Sequence, residues 1–274
     1  MLYVVATPIG NLEDITLRAI RVLKEVRWIA CEDTRTTRHL LNHYGIATPT
    51  ISYHDHNENT RAPELAARLS AGEDGALVSD AGMPLISDPG YRLVQAAIEA
   101  GVSVVPIPGA SAVLAALTVS GLPADTFRFA GFLPEKQGKR REALEALRHQ
   151  TETTVFYEAP HRILATLSDI AEILGTRPIV VARELTKLYE EVLRGTAAEI
   201  RAQLAERASV RGEITLLIGR AAHAETPELP LEQALEALIQ AGVSRMDALK
   251  LLAKERGLSK REIYKHLIVD RPKQ

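Results

Sequence analysis

Apolar positions along the chain fall into two rhythms: short unbroken runs, and longer stretches in which an apolar residue returns every three or four positions. Runs near 2–7, 28–33, 50–54, 76–80 and 102–106 read as strands, and the stretches 16–26, 36–44, 61–71 and 90–100 between them read as helices. Each run ends in Pro, Gly or Asp before a helical period takes over, which is the signature of βαβ units and a mainly parallel sheet. After GLPAD (121–125) the character changes. FRFAGFLP, TTVFYEAP, PIVVARELT, YEEVLRGT and EITLLIGR read as strands with two or three helices among them, a second and mixed α/β domain. A Pro-rich linker, ETPELP (225–230), precedes three short helices at 231–241, 245–256 and 260–268, the last two in a helix-turn-helix arrangement. Ser244 with Asp247, and Ser259 with Glu262, have the spacing of helix-start caps, and Gly257 stands where a C-terminal glycine belongs. The expected organisation is a parallel-sheet α/β domain over 1–121, a mixed-sheet α/β domain over 122–224 and a small helical unit over 229–270.

Composition supports ordinary buried cores: 274 residues, 46% apolar and 25% charged. The formal net charge of −2 is unevenly spread, because from Arg245 onward nine Lys/Arg face four acids, a local +5 that leaves −7 elsewhere. That basic tail is either a solvated helical cap or a contact for nucleic acid through Lys260, Arg261 and Lys265. Cys31 is the only cysteine, which excludes an internal disulfide and suits a reducing compartment; the expectation is cytoplasmic. Residues 100–124 carry no charge, a length that would span a bilayer, but Pro106, Pro108, Gly109, Ser111 and Gly121 break it into a strand, a turn and a buried helix, so no membrane partner is expected.

Several chemistries are missing. No G-x-G and no G-x-x-x-x-G-K occurs, so the dinucleotide fingerprint and the P-loop are absent, and PGASAV is not a hydrolase elbow. His39 and His43 share a helix face, and His54 and His56 flank Asp55, but neither pair sits in a metal-binding pattern, and no metal is expected. What stands out is a set of strand-end loops: ATPIGN (6–11), CEDT (31–34), VSDAGMP (78–84) and PIPGASA (106–112). Any one is an ordinary turn. Together, at the carboxyl ends of parallel strands, they should converge on one crevice able to hold an amino-acid or nucleoside portion of a cofactor.

VATPIGNLEDITLRAI, CEDTRTTRHLL, LVSDAGMPLISDPG, VPIPGASAVLAAL, FYEAPHR and ARELTKLYEE, in that order, resemble the ribosomal RNA small subunit methyltransferase I family, a branch of the tetrapyrrole-methylase-like methyltransferases. The resemblance runs over essentially the whole chain. It implies a homodimeric, S-adenosylmethionine-dependent enzyme that methylates the ribose 2′-hydroxyl of a cytidine in the decoding region of small-subunit (16S) ribosomal RNA, within the 30S subunit. By motif position it implies cofactor neighbours at Pro8, Ser79, Asp80, Met83, Ser111, Ala112, Glu158 and Leu185. Where the tetrapyrrole branch has a G-x-G-D-type first loop and a GGDP-type loop, this chain has TPIGN and VSDAGMP, which argues against a corrin or porphyrin substrate.

A ribose hydroxyl is a poor nucleophile, so either a side chain accepts its proton or a nearby cation favours the alkoxide. Asp33, Asp80, Glu158, Glu184 and Lys187 are near the expected crevice, with Asp33, Glu184 and Lys187 the leading catalytic candidates. If RELTK (183–187) continues a strand, Arg183, Leu185 and Lys187 share one face and Glu184 takes the other. Arg35 and Arg38 beyond the second strand, and Arg140 and Arg141 of GKRR, are candidate phosphate contacts. Aromatics are only 4% of the chain, so recognition through shape and phosphates is expected over stacking on single strands. Two other readings stay open: a small-molecule methyltransferase acting on a tetrapyrrole or corrin, and a non-enzymatic nucleic-acid-binding protein.

Overall fold

The computed structural model describes residues 1–221 and 231–255. The chain divides into two compact units, Met1–Ala221 and Ala222–Gln274.

The larger unit holds two five-stranded sheets. The first is built from β1 (Leu2–Val5), β2 (Trp28–Cys31), β3 (Thr50–Ser52), β4 (Gly75–Leu77) and β5 (Val104–Ile107). Its order is β3-β2-β4-β1-β5, and every pairing is parallel. Such strands must be apolar on both faces, and β2 and β4 are buried at every position. The helices α1 (Leu17–Glu25), α2 (Thr34–His43), α3 (Glu58–Ser70) and α4 (Tyr91–Glu99) make the crossovers. One core layer gathers Val5, Ala19, Leu23, Ile29 and Leu40; the other gathers Leu2, Trp28, Leu65, Leu77 and Leu93. Thr16 caps α1 by accepting from the Ala19 N–H, and Asp33 caps α2 through the Arg35 N–H. The helix expected from 61 begins at Glu58 instead and carries Pro63 inside it.

The uncharged stretch 100–124 resolves into β5, a turn and α5 (Ala112–Ser120), capped by Ser111 and ended by Gly121 in the left-handed conformation. Its Val113, Ala116 and Leu117 pack with Val155, Val180, Ala182 and Leu217 of the second sheet, while Leu114 and Val119 on its other side are exposed, so the expected buried helix is buried on one face only. No described helix is long and apolar enough to cross a membrane.

The second sheet contains β6 (Phe127–Phe132), β7 (Thr153–Glu158), β8 (Pro178–Arg183), β9 (Glu191–Thr196) and β10 (Ile214–Ile218) in the order β6-β7-β10-β8-β9. Only β6 and β7 run parallel, so the sheet is mixed. The helices α6 (Gln137–Glu145), α7 (Ile163–Leu174) and α8 (Ala197–Ala205) cover its other face. Thr196 and Glu199 form a reciprocal capping box at the start of α8. The architecture is therefore the expected pair of α/β sheets, one parallel and one mixed.

RELTK departs from the expected strand. β8 stops at Arg183, and Glu184 and Thr186 adopt positive φ of 51° and 64°, which turns the chain rather than alternating its side chains. In the smaller unit, α9 (Leu231–Gln240) and α10 (Arg245–Glu255) pack through Leu235, Ala248, Leu249 and Leu252. Ser244 Oγ accepts from the Asp247 N–H, as the capping spacing requires. The helix expected at 260–268, with Lys260, Arg261 and Lys265, lies outside the described residues.

Candidate functional site

In the first sheet the chain reverses its direction of travel between β1 and β4, which are neighbours, and an open parallel sheet binds ligands at such a point. The loops after these strands are locked together. The Thr7 N–H donates to the Gly82 carbonyl at 2.9 Å, and the Gly82 N–H donates to the Thr7 carbonyl at 3.1 Å. Gly82 has a φ of +83°, a conformation that a side chain would strain. The loop after β2 joins them where the Asp33 N–H donates to Asp80 Oδ1 at 3.1 Å. Three of the four loops quoted from the sequence are thus tied by hydrogen bonds, and the fourth supplies Ser111 and Ala112 to the same crevice.

Two adjoining cavities open there. The first, about 360 Å³, is lined by the loop 81–88, Ser111 and Ala112, Phe132 and Tyr157, and Ala182, Leu185 and 212–215 from the second sheet. The second, about 230 Å³, is lined by 7–10, Thr36, His39, Ser79, Asp80, Lys187 and Glu213. Ile9, Ala81 and Glu213 belong to both. Among the described residues, the only non-glycine positions with left-handed backbone are Leu85, Ser87, Glu184 and Thr186. All four lie in the two loops that reach this crevice, where strain of this kind marks functional positions.

Lys187 stands at the boundary. Its Nζ donates to Glu184 Oε1 at 2.9 Å and to Glu213 Oε2 at 2.8 Å. A Cβ on Gly10 would fall 2.4 Å from Lys187 Cγ, so the lysine stem crosses the first loop only because residue 10 has no side chain. The turn is held against the same loop by the Asn11 N–H donating to Thr186 Oγ1 at 3.2 Å. Burial of Lys187 works to lower its pKa, but the two carboxylates outweigh it and leave the ammonium more stable than usual. Glu184 is held below the usual carboxylate range by the Glu213 N–H first and Lys187 second. Neither group is a ready proton acceptor. Asp33 is no better, since its bonds to the Arg35 side chain pull it down to about 2.

This fixes an expectation for Asp33→Asn. Asparagine keeps the helix cap, and the native carboxylate is ionised throughout, so the pH–rate profile should keep its shape between about pH 5 and 9. Because the folded pKa is depressed, the stability Asp33 contributes is present above the ordinary carboxylate value and is lost only as pH falls toward about 2. Loss of the acidic limb, the fall in rate at low pH that a general base produces, would contradict this.

The expected cofactor neighbours are divided between the cavities. Met83, Ser111, Ala112, Glu158 and Leu185 line the first, whereas Pro8, Ser79 and Asp80 line the second. The Glu158 carboxylate is already spent: Oε1 accepts from the Ala159 N–H and Arg162, and Oε2 from Thr166 at 2.7 Å. Ser79 Oγ turns to the Gly82 carbonyl at 3.2 Å. Of the expected phosphate contacts, Arg35 is exposed and paired with Asp33, and Arg38 donates to Thr50 Oγ1 at 3.3 Å. Arg140 has to be corrected. It is only 5% exposed and pairs with Asp169, itself 4% exposed, so it faces the interior. Arg141 reaches Asp169 and Glu172 from the edge of the same cluster. The sequence reading missed Phe132, Tyr157 and Glu213 in the cavity walls, and it gave Asp88 no role of its own within the loop 78–90.

Residues 1–201 match the profile of the tetrapyrrole (corrin/porphyrin) methylases. Proteins named ribosomal RNA small subunit methyltransferase I match over nearly the full length. That of Halalkalibacterium halodurans is 51% identical over 269 residues, 96% of this chain and 93% of its own. That of Bacillus subtilis is 46% identical over 271 residues, 96% of this chain and 92% of its own. The chain belongs to the ribosomal RNA small subunit methyltransferase I family. Its fold is shared by solved structures of lower sequence identity. A uroporphyrin-III-C-methyltransferase from Thermus thermophilus superposes with a TM-score of 0.56 at 20% identity, over 80% of this chain and 94% of the other. A diphthine synthase gives 0.60 at 13% identity, over 81% and 91%.

Proposed function

We propose that the protein transfers a methyl group from S-adenosylmethionine to the ribose 2′-hydroxyl of a cytidine in the decoding region of 16S ribosomal RNA. The observation that carries this reading is the pair of cavities sharing Ile9, Ala81 and Glu213, with a lysine ammonium held at their boundary. The first cavity has the volume of a small-molecule site, mostly apolar walls and, in Asp88, one carboxyl with no cationic partner among the described residues, which fits a nucleoside carrying positive charge. When bound, the cofactor supplies a methyl group on a cationic sulfonium. Ile9, Met83, Leu185, Phe132 and Tyr157 would exclude water from it, and the Ser111–Ala112 segment would orient it. The second cavity receives the acceptor. Lys187, fixed by two carboxylates, would stabilise the negative charge that develops on the hydroxyl oxygen as its proton passes to solvent water, so no strong base is needed.

The rRNA substrate is supported by the names of relatives that match along nearly the whole chain. The 30S subunit as the physical substrate, a homodimer and a cytoplasmic location belong to the same reading. Arg35 and Arg38 at the mouth, and the basic tail with Lys260, Arg261 and Lys265, supply phosphate contacts. Deleting residues 229–274 should therefore spare cofactor affinity and weaken RNA binding, with a shallower salt dependence; equal RNA affinity and salt slope in the truncated protein would remove the tail from the interface.

The test offers the enzyme tritiated S-adenosylmethionine with either unmethylated small ribosomal subunits or a uroporphyrinogen. Label in RNA and none in the tetrapyrrole is the expected result. Label in the tetrapyrrole alone would replace this reading with small-molecule methylation.

A further inference from the structure

Asp88 lies in the loop between β4 and α4 and lines the first cavity beside Phe132 and Tyr157, whose ring centroids are 5.6 Å apart. Three carboxylates line this cavity, Asp88, Glu158 and Glu213, and no Lys, Arg or His lines it among the described residues. Two are already neutralised: Glu158 by Arg162 at 2.5 Å and Glu213 by Lys187 at 2.8 Å. Asp88 has no cationic partner among the described residues. Its charged and titratable neighbours come from several elements and none is cationic: Glu32 beyond β2, Asp80 beyond β4, Asp55 before α3, and Tyr157 on β7; the Ser79 hydroxyl, a hydrogen-bond partner, works the other way. Burial first, then Glu32 and Asp80, push its carboxyl up to about 7.

A half-buried carboxyl without a counter-ion, next to two aromatic rings in an otherwise apolar wall, suits a cation that has no N–H to donate. A sulfonium is recognised by field and by ring quadrupoles rather than by hydrogen bonds. We propose that Asp88 is the counter-charge of the cofactor's sulfonium, so that filling the first cavity with S-adenosylmethionine expels a proton and the uncharged product is held less tightly. This rests on the reading of that cavity as the cofactor site. Before binding, the carboxyl carries its proton part of the time at neutral pH; the incoming cation favours the carboxylate, and the proton goes to buffer. After methyl transfer the thioether has no charge, and the carboxyl can take a proton back from solvent.

Calorimetry on the full chain at pH 7, in buffers of low and high ionisation enthalpy, reads this directly. S-adenosylmethionine should release about half a proton and S-adenosylhomocysteine close to none. Asp88→Asn should abolish the release and weaken S-adenosylmethionine by at least about tenfold, with a much smaller effect on S-adenosylhomocysteine. The variant should also melt higher than wild type at pH 8 without ligand. A raised folded pKa means that Asp88 costs stability progressively as pH rises from the ordinary carboxylate value through about 7. If both ligands release equal protons, or neither does while both bind, the assignment of Asp88 is overturned and the cofactor site stands. If neither ligand binds at millimolar concentration, the cofactor site itself falls, and this inference with it. Should the variant fail to fold, the wild-type buffer series still decides.

Discussion

Lys187→Met lowers the rate of methyl transfer by about 10²–10³-fold in single-turnover measurements while leaving S-adenosylmethionine affinity close to wild type. Methionine keeps an unbranched stem to lie across Gly10 and removes only the charge that Glu184 and Glu213 hold at the boundary of the cavities. The loss should fall on the chemical step because Lys187 lines the second cavity and not the first. Lys187→Arg should recover part of the rate, since the charge returns but the guanidinium cannot take the same place between two carboxylates. An unchanged rate in the methionine variant would mean that the ammonium only staples the turn 184–187 to the first loop.

Arg140→Met costs the larger unit about 3–5 kcal/mol, because Asp169 then remains buried without its principal cation. For a unit of this size that is a fall in Tm of about 6–20 °C. Pairing the change with Asp169→Leu should restore most of it, since an apolar pair of similar volume avoids the desolvation of both charges. Burial alone would raise the pKa of Asp169, but Arg140, Gln137 and Arg141 outweigh it and hold the carboxyl below its usual value. The contribution is therefore present above the ordinary carboxylate pKa and is lost as pH falls through the lowered one. RNA affinity and its salt slope should not change in the folded double variant. A drop in slope by about one unit would show that Arg140 reaches phosphate after all.

Arg140 also shows where the sequence runs out. GKRR reads as a basic patch because its partner Asp169 is 29 residues away on another helix, and nothing local announces the pairing. RELTK misleads for a different reason. It follows the apolar run of β8 with no Pro or Gly to stop it, but the chain turns where the Glu184 N–H donates to the Glu213 carbonyl, and Glu184 and Thr186 take left-handed backbone. Asp88 was legible as part of the loop 78–90 but not as a charge of its own, because an Asp before Pro-Gly reads as turn chemistry, and its cavity setting depends on Glu32 brought in from another strand and on Asp80 folded back from the same loop. The loops were legible because Pro and Gly punctuate strand ends locally. Their convergence followed from the parallel βαβ pattern, which places all the carboxyl ends on one edge. The split into two cavities did not follow, since it depends on the second sheet placing Lys187 and Glu213 opposite the first loop. The capping box of Thr196 and Glu199 is legible in the sequence as a Thr-x-x-Glu spacing, as are the single caps at Thr16, Asp33 and Ser111.

Digesting the RNA of small ribosomal subunits to nucleosides after reaction with the enzyme and methyl-labelled S-adenosylmethionine tests ribose methylation most directly. The expected result is label recovered as 2′-O-methylcytidine. Label on a base, or no label in subunits or naked RNA although the cofactor binds, would contradict it.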